Sequence, residues 1–431
     1  MSRATQVLAD LDDTQDWQEQ LYVYLHAHPE LSMDEVETTG EIARRLRSLG
    51  YVVHRLGGGV VGLLANGPGP TVLFRADIDA LPIVETTGLS YASQRTATDR
   101  TGVTVGVMHA CGHDVNVTCA LGAAQLLADT QSEWQGTVVA LFQPGQETAE
   151  GARAMVADGL VSRIPRPDVA FAQHIFDTPA AGQVAVGSGP VLSEGDSIRI
   201  TLYGRGSHGA MPHLGVDAVV LAAAVVMHLQ AIVARELAPG EFGVVTVGSV
   251  QAGQKSNVLP SRATLLINVR AYRSEVRAAL VAAVERIVRG ECAAAGSPVP
   301  PQFDYYERYP LTFNDPHVTA RVRAAFEEHF GADRVLELDP VPTSEDFSVI
   351  PDAFGTPYTY WGLGGFAADS TVVPNHSPDF APDMQPTLRT GTEAIVVAAL
   401  AFLDGPAPVT EPPPRAAWDM RSWAGLRPVT Q

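Results

Sequence analysis

Met108-His109-Ala110-Cys111-Gly112-His113-Asp114 sets a thiol and an imidazole two residues apart, just ahead of an apolar helical run. A thiolate and an imidazole so spaced can converge on one metal ion. The same residues also read as a buried cysteine beside an Asp114 that caps the following helix. Three further stretches move the balance towards metal. Glu147 follows Leu141-Phe142-Gln143-Pro144-Gly145-Gln146, His174 follows Phe171-Ala172-Gln173, and His376 lies in Asn375-His376-Ser377-Pro378. These are ligand types at the ends of expected strands, and strand ends are where α/β sheets hold ligands.

Outward from this stretch, apolar residues recur at helical spacing over 17–28 and 35–49, and Gly50 stops the second run. Short apolar runs at 71–74, 136–142 and 169–172 read as strands, separated by helical patterns at 120–127 and 152–157. That alternation predicts an α/β sheet with helices on both faces. Near Gly182 the character changes: strands are expected at 184–186, 197–203, 243–250 and 263–270, with helices at 216–235 and 274–295. After Pro298 the α/β style returns, with a helix at 316–330, a strand at 358–361 and a last helix at 386–402. The middle is therefore read as an inserted α+β unit, dividing the chain into 1–188, 189–303, 304–405 and a proline-rich tail, 406–431.

Composition narrows the function classes. The 431 residues suffice for two or three domains. A formal charge of -19 argues against a nucleic-acid partner, which needs clustered Lys and Arg to displace counterions. Hydrophobic residues make up 46%, yet no uninterrupted apolar run approaches the roughly eighteen needed to cross a bilayer, so no membrane partner is expected. The first 13 residues lack a long apolar core and a small-residue cleavage site, which reads as cytoplasmic. Cys111, Cys119 and Cys292 are an odd, scattered set, suited to a thiol or ligand role. No Gly-x-Ser-x-Gly elbow precedes a helix, and no Gly-x-x-x-x-Gly-Lys phosphate cradle is present.

Further motifs complete a family pattern: His26-Ala27-His28-Pro29-Glu30-Leu31, Arg75-Ala76-Asp77-Ile78-Asp79-Ala80-Leu81-Pro82, Gly206-Ser207-His208-Gly209-Ala210-Met211-Pro212-His213, Asn257-Val258-Leu259-Pro260 and Ser344-Glu345-Asp346-Phe347. With the ligand stretches they span roughly residues 20–400. The chain resembles the metal-dependent amidohydrolases: hippurate hydrolases, plant auxin-conjugate hydrolases and bacterial N-acyl amino acid deacylases, akin to carboxypeptidase G-like peptidases. The resemblance implies a zinc-peptidase-like catalytic domain on a mixed sheet and an inserted lid that pairs two copies into a homodimer. It implies Cys111, His113, Glu147, His174 and His376 as ligands of two divalent ions, with Cys111 bridging. Mixed thiolate, imidazole and carboxylate ligation favours zinc, with manganese, cobalt or nickel also fitting.

The resemblance also gives Asp79 the role of orienting a ligand imidazole, the alternative being a turn residue before Leu81-Pro82. Asp77 is left outside the site. His208 matches a residue that stabilises the oxyanion, often from the partner subunit, or is a plain loop histidine. Asn257 and Arg270 are expected to grip a substrate carboxylate, although Arg270 also reads as a strand-edge salt bridge. One departure stands out. The family has Gln-Pro-x-Glu-Glu, its first Glu serving as the general base, where this chain has Gln143-Pro144-Gly145-Gln146-Glu147. An amide cannot take that proton at neutral pH. Hydrolysis should therefore be strongly impaired, through a deliberate Glu-to-Gln replacement or in a naturally altered enzyme or binding protein. The intact ligand set favours the first. Asn116 replaces a His common among relatives and is assigned no role. The expected substrate is an N-acyl amino acid; the alternatives are a metallo-carboxypeptidase or dipeptidase on the same scaffold, and a noncatalytic metal-dependent binding protein.

Overall fold

A computed structural model describes residues 3–403. The proline-rich tail expected at 406–431 lies outside them. The strands used below are, in chain order, β1 (Val52–Leu56), β2 (Gly59–Asn66), β3 (Thr71–Asp77), β4 (Gly136–Gln143), β5 (Val169–Phe176), β6 (Val184–Val186), β7 (Glu194–Tyr203), β8 (Gly243–Ala252), β9 (Arg262–Ala271), β10 (Gln302–Tyr309), β11 (Val335–Glu337) and β12 (Tyr358–Gly364). The helices are α1 (Leu11–Ala27), α2 (Val36–Ser48), α3 (His113–Asp129), α4 (Gly151–Ala157), α5 (Ala218–Ala231), α6 (Ser274–Ala294), α7 (Pro316–Phe330) and α8 (Met384–Leu403).

An eight-stranded mixed sheet runs β1-β2-β4-β3-β5-β12-β6-β11. Its centre is parallel: β3 pairs in parallel with β4 and β5, and β12 with β5. Central strands covered on both faces read as continuous apolar runs, because successive side chains enter opposite layers. Val72 and Phe74 of β3, Val138 and Ala140 of β4 and Phe171 of β5 join a core with α1, α2, α3, α7 and α8. Leu73, Val139, Leu141 and Ala170, one residue out of step, join the opposite core with α4. Parallel β3, β4, β5 and β12 finish at the same edge of the sheet, and the candidate ligands lie near those ends or in the segments that leave them.

A second sheet, four-stranded and antiparallel, runs β8-β9-β7-β10. In β9 buried and half-buried residues alternate, as a sheet covered on one face requires. Ala263, Leu265, Ile267 and Val269 pack beneath α5 and α6. Two expectations need correction. β6, read as the start of the change in style, belongs to the large sheet, antiparallel to β12. The boundary expected at 303/304 falls inside β10, which pairs with β7 from Gln302 to Tyr309. The physical reason is visible in Gln302-Phe303-Asp304-Tyr305: Phe303 and Tyr305 alternate with polar residues and pack on the small core.

Two helices, Ala218–Glu236 and Met384–Leu403, are long and apolar enough to cross a membrane by length and composition. The second is a core helix, 83% buried. The first turns Leu221, Ala222, Val225 and Leu229 onto the small sheet and leaves Val219, Val220 and Met227 exposed.

Candidate metal centre

Gly112 opens the site. Its φ of +79° suits a residue without Cβ, and a Cβ there would meet Ile175 Cδ1 at 3.0 Å. The chain thus turns sharply between Cys111 and the first residue of α3, His113. Glu147 comes from the turn after β4, His174 from β5, and His376 from the loop before α8. His376 has φ +67°, and its N–H donates to the Ala110 carbonyl at 2.7 Å, fixing that loop beside Cys111.

The five side chains form two groups that share one sulfur: Cys111 with His113 and His174, and Cys111 with Glu147 and His376, the ligand atoms of each group lying within 4.8 Å of one another. Cys111 Sγ is 3.5 Å from His174 Nε2. Glu147 Oε1 is 3.3 Å from His376 Nε2 and 3.9 Å from His113 Nε2. The imidazole tautomers follow from the other nitrogens. His113 Nδ1 donates to the Asp79 carbonyl at 2.8 Å, and His174 Nδ1 to the Ile175 carbonyl at 2.7 Å, leaving both Nε2 lone pairs for the centre. His113 Nε2 and Glu147 Oε1 are buried with no aligned hydrogen bond. Buried polar atoms are rarely left so, and two orphan acceptors facing a thiol are what a cation would satisfy. The donors present fit two borderline-soft divalent ions.

The electrostatics agree. Burial pushes the Cys111 thiol up, but His174, with His113 and His376, outweighs it and holds the group well below the ordinary thiol range. Burial and the Cys111 sulfur together raise the Glu147 carboxyl, against the pull of His376 and His113. An acidic thiol beside imidazoles is the state that ligates metal.

Asp79 lies under this shell. Its Oδ1 is 3.3 Å from His113 Nδ1, and its Oδ2 accepts from Ser32 Oγ at 2.6 Å and from the Glu147 N–H at 3.0 Å. It therefore touches two of the candidate ligand residues at once. Asp77, left aside on sequence, lies 3.7 Å from His113 Nε2 and accepts from Arg75 and Asn116, each at 2.7 Å. Asn116 thus belongs to the buried polar layer below the centre. The signal was the Asp-x-Asp spacing at the end of β3, which brings both carboxylates to the same sheet edge.

The remaining expected residues lie elsewhere. Among the described residues no hydrogen bond or ion pair joins His208, Asn257 or Arg270 to the five candidate ligand side chains. His208 is exposed, its Nδ1 accepting from the Ala210 N–H at 3.0 Å, so Nε2 carries the proton. Asn257 is exposed, and its carbonyl accepts from the Gly209 N–H at 2.8 Å, which puts it beside His208. Among the described residues Arg270 makes no salt bridge: it donates to Asn268 Oδ1 at 2.8 Å, the Pro342 carbonyl at 2.9 Å and Ser344 Oγ at 3.0 Å. The side chain of Gln146 is buried next to Glu147.

Residues 73–401 match the model of Peptidase family M20/M25/M40. Thermostable carboxypeptidase 2 of Saccharolobus solfataricus is 31% identical over 91% of this chain and 97% of its own. The N-acetyl-L-cysteine deacetylase of Bacillus subtilis is 33% identical over 81% of this chain and 83% of its own. The crystal structure of Bacillus subtilis YXEP protein, described as a dinuclear metal-binding peptidase of the M20 family, superposes with a TM-score of 0.72. It is 28% identical and covers 91% of this chain and 99% of that one. A match over most of the chain, relatives above 30% identity along nearly their full length and a shared fold lead to one conclusion: this chain belongs to Peptidase family M20/M25/M40, a family of hydrolases.

Proposed function

We propose that this scaffold is a dinuclear metalloamidase that cleaves the amide bond of N-acyl amino acids, and that Gln146 leaves the present chain strongly impaired. The observation that carries the reading is the pair of ligand groups meeting at Cys111. Two divalent ions, zinc first, would supply an acidified water and a Lewis acid for the amide carbonyl. Around them the protein's own groups have distinct tasks. Asp79 holds the His113 ring and the Glu147 backbone in place. Residue 146 adjoins the ligand Glu147, where a carboxylate would take the proton and pass it to the leaving amine; a glutamine keeps the shape and loses the base. Arg270, with one guanidinium nitrogen outside its hydrogen bonds to Asn268, Pro342 and Ser344, offers a fixed cation for a free α-carboxylate, with Asn257 as an amide donor.

The small sheet acts as lid and dimer surface. β8 is an edge strand, and α5 leaves Val220 64% and Met227 69% exposed, an apolar face suited to a second copy. His208 and Asn257, exposed together, would complete the site of the partner subunit, His208 Nε2–H donating to the developing oxyanion. Three unpaired cysteines favour a reducing compartment, the cytoplasm.

The test is Gln146→Glu. With full metal loading, a screen of acylated amino acids should show turnover rising about a hundredfold to ten-thousandfold over the parent chain, the usual worth of a general base. No amidase activity in that variant on any N-acyl amino acid would overturn the reading. The carboxypeptidase relatives support a second substrate class, dipeptides, which product analysis in the same screen separates.

A further inference from the structure

The small sheet meets the metal-ligand turn through one cross-strand row. Gly195 of β7 pairs with Arg270 of β9 on one side and with Tyr309 of β10 on the other. Directly opposed residues project from the same face, so Arg270 and Tyr309 stand on one side with a glycine between them. A Cβ at Gly195 would meet Ser344 Oγ at 3.0 Å, so this face lies against the Ser344-Glu345-Asp346 loop. The pairing of β7 with β10 shifts between Gly195 and Ser197, and Glu307 there has φ +44°. A bulge of this kind re-aims the residues beyond it.

What it re-aims is Tyr309. The phenol oxygen lies 2.9 Å from the Glu147 carbonyl and 3.2 Å from the Gln146 carbonyl, and its one proton is shared between them. Beside it, Arg153 Nη2 donates to the Arg308 carbonyl at 2.7 Å while Nη1 donates to the Ala149 carbonyl at 2.6 Å. The turn that carries residue 146 and the ligand Glu147 is thus held from below by Asp79 and from the small sheet by Tyr309. Nothing else among the described hydrogen bonds joins the small sheet to the backbone of those two residues.

We propose that Tyr309 is a positioning residue: its hydroxyl fixes the 146–147 backbone from the small sheet, so the aim of the Glu147 carboxylate at the metals depends on that sheet being seated. The consequence for turnover rests on the hydrolase reading above; the consequence for metal binding does not. Tyr309→Phe deletes the hydroxyl and keeps the ring. In the cobalt-loaded protein it should displace the visible bands and weaken cobalt affinity, measured against a competing chelator, by about tenfold, as losing a residue that orients a ligand does. Tyr305→Phe, which removes from the same strand a hydroxyl bonded to Glu285 of α6, should change neither. In the Gln146→Glu background, Tyr309→Phe should lower kcat with little change in KM.

Cobalt spectra and affinities of Tyr309→Phe that coincide with the parent's would overturn the proposal. If Gln146→Glu shows no turnover, the hydrolase reading falls and the cobalt comparison still decides the role of Tyr309. Should Tyr309→Phe fail to fold, 3-fluorotyrosine at 309 keeps the hydroxyl and makes it a stronger donor. Its cobalt bands should then move relative to the parent's, and unmoved bands would refute the role.

Discussion

Arg75 is fully buried at the heart of the polar layer under the candidate metal centre, and Arg75→Met should destabilise the large-sheet unit by about 3–5 kcal/mol. The magnitude comes from what the guanidinium satisfies. Nε donates to Gln143 Oε1 at 2.9 Å, Nη1 to Asp77 Oδ2 at 2.7 Å and Glu345 Oε2 at 3.2 Å, and Nη2 to Glu345 Oε1 at 2.9 Å. Burial and the Glu345 charge raise the Asp346 carboxyl, so the cation faces chiefly Asp77 and Glu345. Methionine fills much of the volume and leaves those two carboxylates buried without their counter-ion. At an m-value of about 3 kcal/mol/M, urea unfolding followed by tryptophan fluorescence should show the midpoint falling by about 1–1.7 M. Adding Glu345→Gln should recover part of the loss, because one orphaned charge is removed with it. A midpoint within about 0.3 M of the parent's would refute the claim that this guanidinium neutralises the layer.

Asp79→Ala removes the carboxylate that touches His113, Ser32 and the Glu147 N–H, and isothermal titration should show metal affinity falling by about 10–100-fold while the apo fold survives. Glu194, buried beside Asp196 and Arg277, is pushed by burial from its ordinary 4.5 to about 7, against the pull of Arg277. Its folded value lies above the unfolded one, so the folded state holds the extra proton between those pH values and stability falls as pH rises through that window. Glu194→Gln should abolish that fall, gaining no more than about 3 kcal/mol above pH 7 relative to pH 4.5, and chemical denaturation at the two pH values measures it.

The fold's style was legible because central strands such as Val169-Ala170-Phe171-Ala172 are covered on both faces and read as unbroken apolar runs. β10 is hard to read from sequence because its apolar positions are aromatic and alternate with charged residues behind a proline-rich stretch, so a break expected at 303/304 falls inside a strand. The candidate ligands were legible since thiol, imidazole and carboxylate recur at strand ends, where the fold brings them to one edge. Asp77 was not, because Asp-x-Asp does not say which carboxylate faces the imidazole, and here both lie within 4 Å of His113. Tyr309 was beyond sequence reasoning altogether: its partners are 162 and 163 residues away, and a bulge aims it. The carbonyl and hydroxyl partners of Arg270 come from a loop more than 70 residues distant, which no local pattern announces.

The proposed dinuclear centre needs one sulfur to serve two ions. Purified chain, stripped and reloaded with zinc or cobalt, should bind two metal ions per chain by elemental analysis, and Cys111→Ser should retain fewer than one after the same treatment. Two ions held by Cys111→Ser at the parent's affinity, or none held by the parent itself, would contradict it.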